Sequence, residues 1–118
     1  MRTLVLVFAA LALPACPAAA QPSSAAPSQP RSLYAVSAAG LGSAMSYCIA
    51  RHGRMRQGSE AERCYARARA ILGAAGLRDR AAQVDTRCAD PATFNECITP
   101  EIGRLVYDLN DRFIEEGL

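Results

Sequence analysis

Apolar and polar positions divide the chain into three stretches. From Leu4 to Leu13 every side chain is apolar, with Arg2 before the run and Pro14 after it. Residues 21–31, QPSSAAPSQPR, hold proline, serine and alanine and no cluster of large apolar side chains. From Ser32 onward apolar residues recur at steps of three and four, which is the spacing of one face of an α-helix.

The third stretch breaks into helical segments at its glycines and prolines. SLYAVSAAGLGSAMSYCIARHG predicts a first helix, with Leu41, Met45, Cys48 and His52 as its apolar row. Ala38, Gly42 and Ser46 repeat at every fourth position, so this helix is expected to be buried and closely packed. Residues 32–50 carry no charge, which raises a membrane-spanning reading; four serines and two glycines argue against it. After the loop HGRMRQG, Ser59 and Glu62 have the S-x-x-E spacing of a capping box. The helix behind it places Ala61, Cys64, Tyr65, Ala68, Ile71, Leu72 and Ala75 on one face and ends at Gly76. LRDRAAQVDTRC predicts a shorter helix. Asp90-Pro91 starts a brief helical turn through Cys97, and Thr99-Pro100-Glu101 opens a last helix with Ile102, Leu105, Val106, Leu109 and Phe113 inward. No stretch alternates with period two. The predicted fold class is all-α, a small disulfide-stapled bundle of three to five helices.

The first stretch reads as an export signal, because a charged residue, an apolar run and small residues follow in that order. Ten apolar residues fall short of the roughly 20 that cross a bilayer. Ala18 and Ala20 place a peptidase cut before Gln21, so residues 1–20 are the expected signal peptide. The alternative is a lipid anchor at Cys16, to which Pro14 is ill suited. Residues 21–31 are the expected disordered linker, and residues 32–118 the helical domain, with no transmembrane span in the mature chain. All thirteen basic residues are arginine and alanine is abundant, as a GC-rich bacterial genome would encode. The expected location is the periplasm or the secreted space.

A domain this small has a thin core. Without Cys16 the cysteines are Cys48, Cys64, Cys88 and Cys97, an even number, which in a short exported chain reads as two disulfides. Three pairings are possible. Cys48–Cys64 near the closed end of a helical hairpin, with Cys88–Cys97 closing a short segment, is the favoured one. Close C-x-x-C pairs, the usual mark of a zinc site or a redox centre, do not occur.

Charge is polarised along the chain. Residues 31–80 hold nine arginines against three acids, a net of +6, and residues 81–118 hold three against eight, a net of −5. Part of this is expected to cancel where the basic and acidic helices pack. The candidate binding residues are Arg51, Arg54, Arg56, Arg63 and Arg67, whose planar guanidinium forks suit carboxylates and phosphates. They point to an acidic protein or an anionic envelope component. Nucleic acid is not expected, since no aromatic residues are interleaved for base stacking.

Catalytic signals are weak. The single histidine, His52, lies at a helix end, where it favours the dipole. A triad with Ser46 or Ser59 has no supporting pattern. Cys48 and His52 share a metal ion only if Cys48 is a free thiol. Asp108, Asp111 and Glu115 lie on one helix face, the arrangement of a solvated face rather than of opposed catalytic carboxylates. Phosphate-binding glycine motifs do not occur, and no cofactor is expected.

The leading functional expectation is therefore a small exported envelope binding protein of inhibitor, immunity or adaptor type, without enzymatic activity. The alternatives are an acid-responsive periplasmic holdase, loosened as its carboxylates protonate, and a cell-wall-directed hydrolase. The intact, non-reduced mass of protein from an envelope fraction is expected to correspond to a chain starting at Gln21, short by four hydrogens. A mass starting at Cys16 with added acyl chains replaces the soluble reading with a lipoprotein.

Overall fold

The computed structural model describes residues 28–118. The expected export signal and residues 21–27 of the expected linker lie outside them. The described chain forms α1 (Leu33–His52), α2 (Glu60–Gly73), α3 (Leu77–Arg87), a 3-10 turn (Pro91–Thr93) and α4 (Phe94–Glu115). There is no strand among the described residues. The fold is a small all-α bundle stapled by two disulfides, Cys48–Cys64 and Cys88–Cys97, the favoured pairing.

Helix α1 is the hub, and α2, α3 and α4 each pack on it. Helix α2 runs back along α1, so Cys48 meets Cys64 at one end, and Leu72 lies beside Gly40 further along. Helix α3 continues in the same direction, with Leu77 at Gly40 and the Ala81 carbonyl at Ser32. Helix α4 runs parallel to α1, with Asn110 at Ser43 and Phe113 at Tyr47. The main core joins Val36, Ala44, Cys48, Ala68, Leu72, Leu105, Leu109 and Phe113. A smaller core joins Val84, Cys88 and Ile98 at the other end. Each disulfide thus anchors one cluster.

The inward face of α1 differs from the expected one. Val36, Gly40, Ser43, Ala44 and Cys48 are buried, whereas Leu41 and Met45 are exposed and His52 lies at the surface. A helix apolar all round offers no polar face to orient it, so the neighbours choose. They choose the small side: a Cβ on Gly40 would stand 3.3 Å from Leu77 Cδ1 and 3.5 Å from Leu72 Cδ2. The row Ala38, Gly42 and Ser46, expected to be buried, is exposed.

The start of α1 is capped from another helix. Asp85 of α3 accepts from the main-chain N–H of Arg31 and, at 3.0 Å, from that of Ser32. A carboxylate at a helix N-terminus meets the unpaired N–H groups and the positive end of the dipole. The Ser32 hydroxyl is fully buried and donates to the Ala81 carbonyl at 2.7 Å instead of capping its own helix. Arg31, placed by composition in the linker, donates to the Cys88 carbonyl at 2.8 Å and lies over the Phe94 ring.

Three local expectations need correction. Helix α2 ends at Gly73, and Gly76, at φ +66°, is the cap that opens α3. Ser59 Oγ accepts from the Glu62 N–H as a cap should, but the Ser59 N–H donates to the Arg56 carbonyl, so the reciprocal half of the capping box is not made. Helix α4 begins at Phe94 and runs through Pro100, which was expected to open it. Proline inside a helix loses a main-chain hydrogen bond. The turn before it persists because Cys97 is bonded to Cys88 and Ile98 is buried against Val84.

Replacing Cys48 and Cys64 together with alanine is expected to lower the unfolding free energy by about 2–4 kcal/mol, read as a lower urea midpoint. The loss follows from freeing a loop of sequence separation 16 in the unfolded chain and from opening the main core.

Candidate functional site

Three features could bear function: the arginine-bearing end of the bundle, a groove between α1 and α4, and a carboxylate knot between α3 and α4.

The arginine-bearing end is built by the loop from Gly53 to Ser59. Gly53 and Gly58 have φ of +85° and +76°, a region that glycine enters without strain. The loop is pinned by the Gly53 N–H donating to the Ile49 carbonyl, by Ser59 Oγ accepting from the Arg56 N–H, and by Arg63 Nη1 donating to the Gly58 carbonyl at 2.6 Å. Arg51, Arg54 and Arg56 are exposed and form no ion pair with any described residue. Arg63 pairs with Glu60 at 2.6 Å, and Arg67 donates to the Glu116 carbonyl at 3.2 Å. The Arg63 hydrogen bond and charge hold the Glu60 carboxyl below the usual glutamate range. Arg63 and Arg67 share a surface cavity of about 290 Å³ with His52, Glu60 and Leu118. The five candidate arginines thus gather at one end, two of them already engaged.

The expected cancellation of charge across the fold is limited. Arg80 pairs with Asp108 at 2.7 Å, the one ion pair among the described residues that joins the basic and acidic halves.

The groove between α1 and α4 has a volume of about 560 Å³. Ala39, Gly42 and Ser46 line it from α1, and Ile102, Val106 and Asn110 from α4. Beside it, α1 exposes Tyr34, Leu41, Met45 and Ile49, and α4 exposes Tyr107 and Ile114. Sequence reasoning missed this surface, because it assigned Leu41 and Met45 to the interior. The signal that could have found it was the missing charge between residues 32 and 50.

Glu101 is the buried carboxylate of the domain, with 8% of its side chain exposed. Arg87 donates to it through Nε at 2.9 Å and Nη2 at 2.8 Å, and Arg104 stands at 3.4 Å. The Arg87 hydrogen bonds hold its carboxyl below the usual range against the opposing effect of burial, with the charges of Arg87, Arg104 and Arg80 assisting. The helical pattern gave no sign of it, since its partner Arg87 lies on another helix.

The weaker catalytic candidates are not assembled into one hydrogen-bonded group. Ser46 lines the α1–α4 groove, His52 lines the other cavity, and Ser59 is occupied as a cap. Cys48 is in a disulfide, so the Cys48–His52 metal pair fails. Among the described residues no group of three His, Cys, Asp or Glu side chains could hold a metal ion. Of the three aligned carboxylates, Asp108 is engaged by Arg80, and Asp111 and Glu115 are exposed.

In comparisons with protein-family models, curated proteins and solved structures, nothing matches this chain.

Because Glu101 has a lower pKa folded than unfolded, its pairing stabilises the fold above about pH 4.3, the ordinary glutamate value. That contribution is lost as pH falls through the folded value. Glu101→Gln is expected to cost about 1–2 kcal/mol at pH 7, moderated by the exposure of Arg87. It is also expected to flatten the fall in urea midpoint between pH 5 and 2. An unchanged acid slope would remove Glu101 from the account.

Proposed function

We propose that the protein is a non-enzymatic interaction module of the cell envelope, periplasmic or secreted, that engages an acidic partner through its arginine-bearing end. The observation that carries this reading is that Arg51, at the end of α1, and Arg54 and Arg56, on the pinned loop that follows, are exposed and form no ion pair with any described residue. Pinning matters because a partner then orders less chain on binding. Guanidinium forks donate two parallel hydrogen bonds to a carboxylate or a phosphate. Arg63 and Arg67 stand beside the loop as a second row, already oriented by Glu60 and the Glu116 carbonyl.

Two disulfides in so small a domain support an oxidising, extracytoplasmic setting. A compact stapled bundle with a charged end is the physical form of an inhibitor, an immunity protein or an adaptor. The separation of Ser46 from His52 and the engagement of Ser59 as a helix cap weigh against the hydrolase alternative.

The test compares the purified protein with the triple variant Arg51→Glu, Arg54→Glu, Arg56→Glu on immobilised polyglutamate and on phosphatidylglycerol vesicles, at low and moderate salt. The wild type is expected to bind one of these surfaces, more weakly as salt rises. The triple variant is expected to lose at least about tenfold in affinity with an unchanged circular dichroism spectrum. Polyglutamate binding assigns a protein partner and vesicle binding an anionic lipid. Equal behaviour of wild type and variant on both surfaces would sink the proposal.

A further inference from the structure

We propose that the exposed face of α1, with the groove beside it, is the contact surface of an antiparallel homodimer. This goes beyond the arginine-bearing end and rests on different residues.

The first ground is what α1 presents to water. Helices α2, α3 and α4 turn arginine, aspartate and glutamate outward. Helix α1 has no charged residue before Arg51, yet only one side of it is packed. Its outward side shows Tyr34, Ala38, Leu41, Met45 and Ile49, with Tyr34 87% exposed and Leu41 and Met45 each 42%. A helix apolar all round belongs in an interior, and here half of its circumference has no cover. By length and composition α1 could cross a membrane. Three helices packed along one side, and small residues at the centre of the other, fit a protein neighbour better than lipid tails.

The second ground is area. A helix of 20 residues is about 30 Å long at a rise of about 1.5 Å per residue. A neighbouring helix axis lies about 8–10 Å away, so α1 and the crest of α4 with Tyr107 and Ile114 together offer a face of roughly 600 Å². Two copies would cover about 1,200 Å², the lower bound for a stable pair.

The third ground identifies the occupant. A two-fold contact requires a face that fits itself. On α1 the large side chains of Met45 and Ile49 lie one turn from the small Gly42 and Ser46, with Leu41 one turn before Met45, so knobs and holes lie on the same helix. The α1 part of the face carries no charge to repel its twin; on the α4 crest the exposed Asp111 lies between Tyr107 and Ile114. Charge at its end then selects direction. A parallel pair would bring Arg51, Arg54 and Arg56 against their own copies. An antiparallel pair sets the two arginine-bearing ends about 30 Å apart, several times the ~8 Å screening length. With the axis near Gly42 and Ser43, Leu41 faces Met45 of the second copy and Ala38 faces Ile49. Tyr34, at the far end, comes alongside Arg51 and His52, where an arginine over an aromatic ring is favourable. Arg54 and Arg56, on the loops beyond the ends of α1, stay open to partners.

Sedimentation equilibrium of the purified, oxidised protein over micromolar to hundred-micromolar concentrations tests this. The expected result is a monomer–dimer equilibrium little affected by salt. Met45→Glu, which places a charge in the centre of the contact, is expected to weaken dimerisation about a hundredfold. Gly42→Leu fills the hole, has open space around it in the monomer and should act alike. The double variant Arg54→Glu, Arg56→Glu, which leaves Arg51 beside Tyr34, should dimerise as the wild type does, which keeps the two proposals separable. A monomer throughout the range overturns the inference, and so does a dimer indifferent to both α1 variants. Salt-independent binding of a monomer to zwitterionic vesicles, lost in Met45→Glu, would assign the face to lipid and equally overturn it.

Discussion

The close approach of α2, α3 and α4 to one uncharged helix carries this fold. At Gly40, the side chains of Leu72, Leu77 and Leu109 come within van der Waals reach of where a Cβ would be. Three helices therefore converge on a single position of α1. The apolar rows of α2, α3 and α4 are covered chiefly by α1, with one smaller cluster of Val84, Cys88 and Ile98 between α3 and α4. That is why two disulfides matter in so small a domain. One ties the hub to α2 inside the main cluster, and the other closes the α3–α4 turn over the smaller one.

Polar interactions act differently, by fixing register along the hub. Asp85 reaches from α3 to the first N–H groups of α1, and Ser32 answers with a bond to Ala81. Glu101 grips Arg87 across the α3–α4 contact. At the other end, the Tyr47 hydroxyl donates to the Leu118 carbonyl while its ring packs 5.4 Å from that of Phe113. Apolar packing tolerates sliding, whereas these directional bonds do not. They set which residues meet and so which surfaces stay open.

Two surfaces stay open, and they differ in kind. One is basic, built on a pinned glycine-bounded loop. The other is apolar, uncharged along α1 and flanked by Tyr107 and Ile114 of α4. Their separation follows from α1 itself, whose charge begins only at Arg51. A charged end and an apolar flank on one rigid unit let two contacts form without competing. This arrangement supports the reading of the protein as an interaction module.

Much of this architecture was legible in the chain. Periodicity located the α2 face and the α4 row Leu105, Leu109 and Phe113, because polar residues mark the opposite side of those helices. Cysteine spacing and hairpin geometry pointed to the pairing that the structure has. The charged end was equally visible, since Arg51, Arg54 and Arg56 lie within six residues. What only the tertiary structure decided were matters of which side and which partner. Nothing local distinguishes the Leu41–Met45 side of α1 from the Gly40–Ala44 side; the leucines of α2, α3 and α4 settled it by filling the space beside the small residues. Pro100 reads locally as a helix start, yet the Cys97 staple and buried Ile98 carry the helix through it. Asp85 and Glu101 look like ordinary surface acids until the partners they meet, Arg31, Ser32 and Arg87, are brought in from other elements. Local patterning fixes which segments are helical because it acts within a turn or two. The orientation of an unmarked helix depends on contacts between segments far apart in sequence, which packing alone supplies.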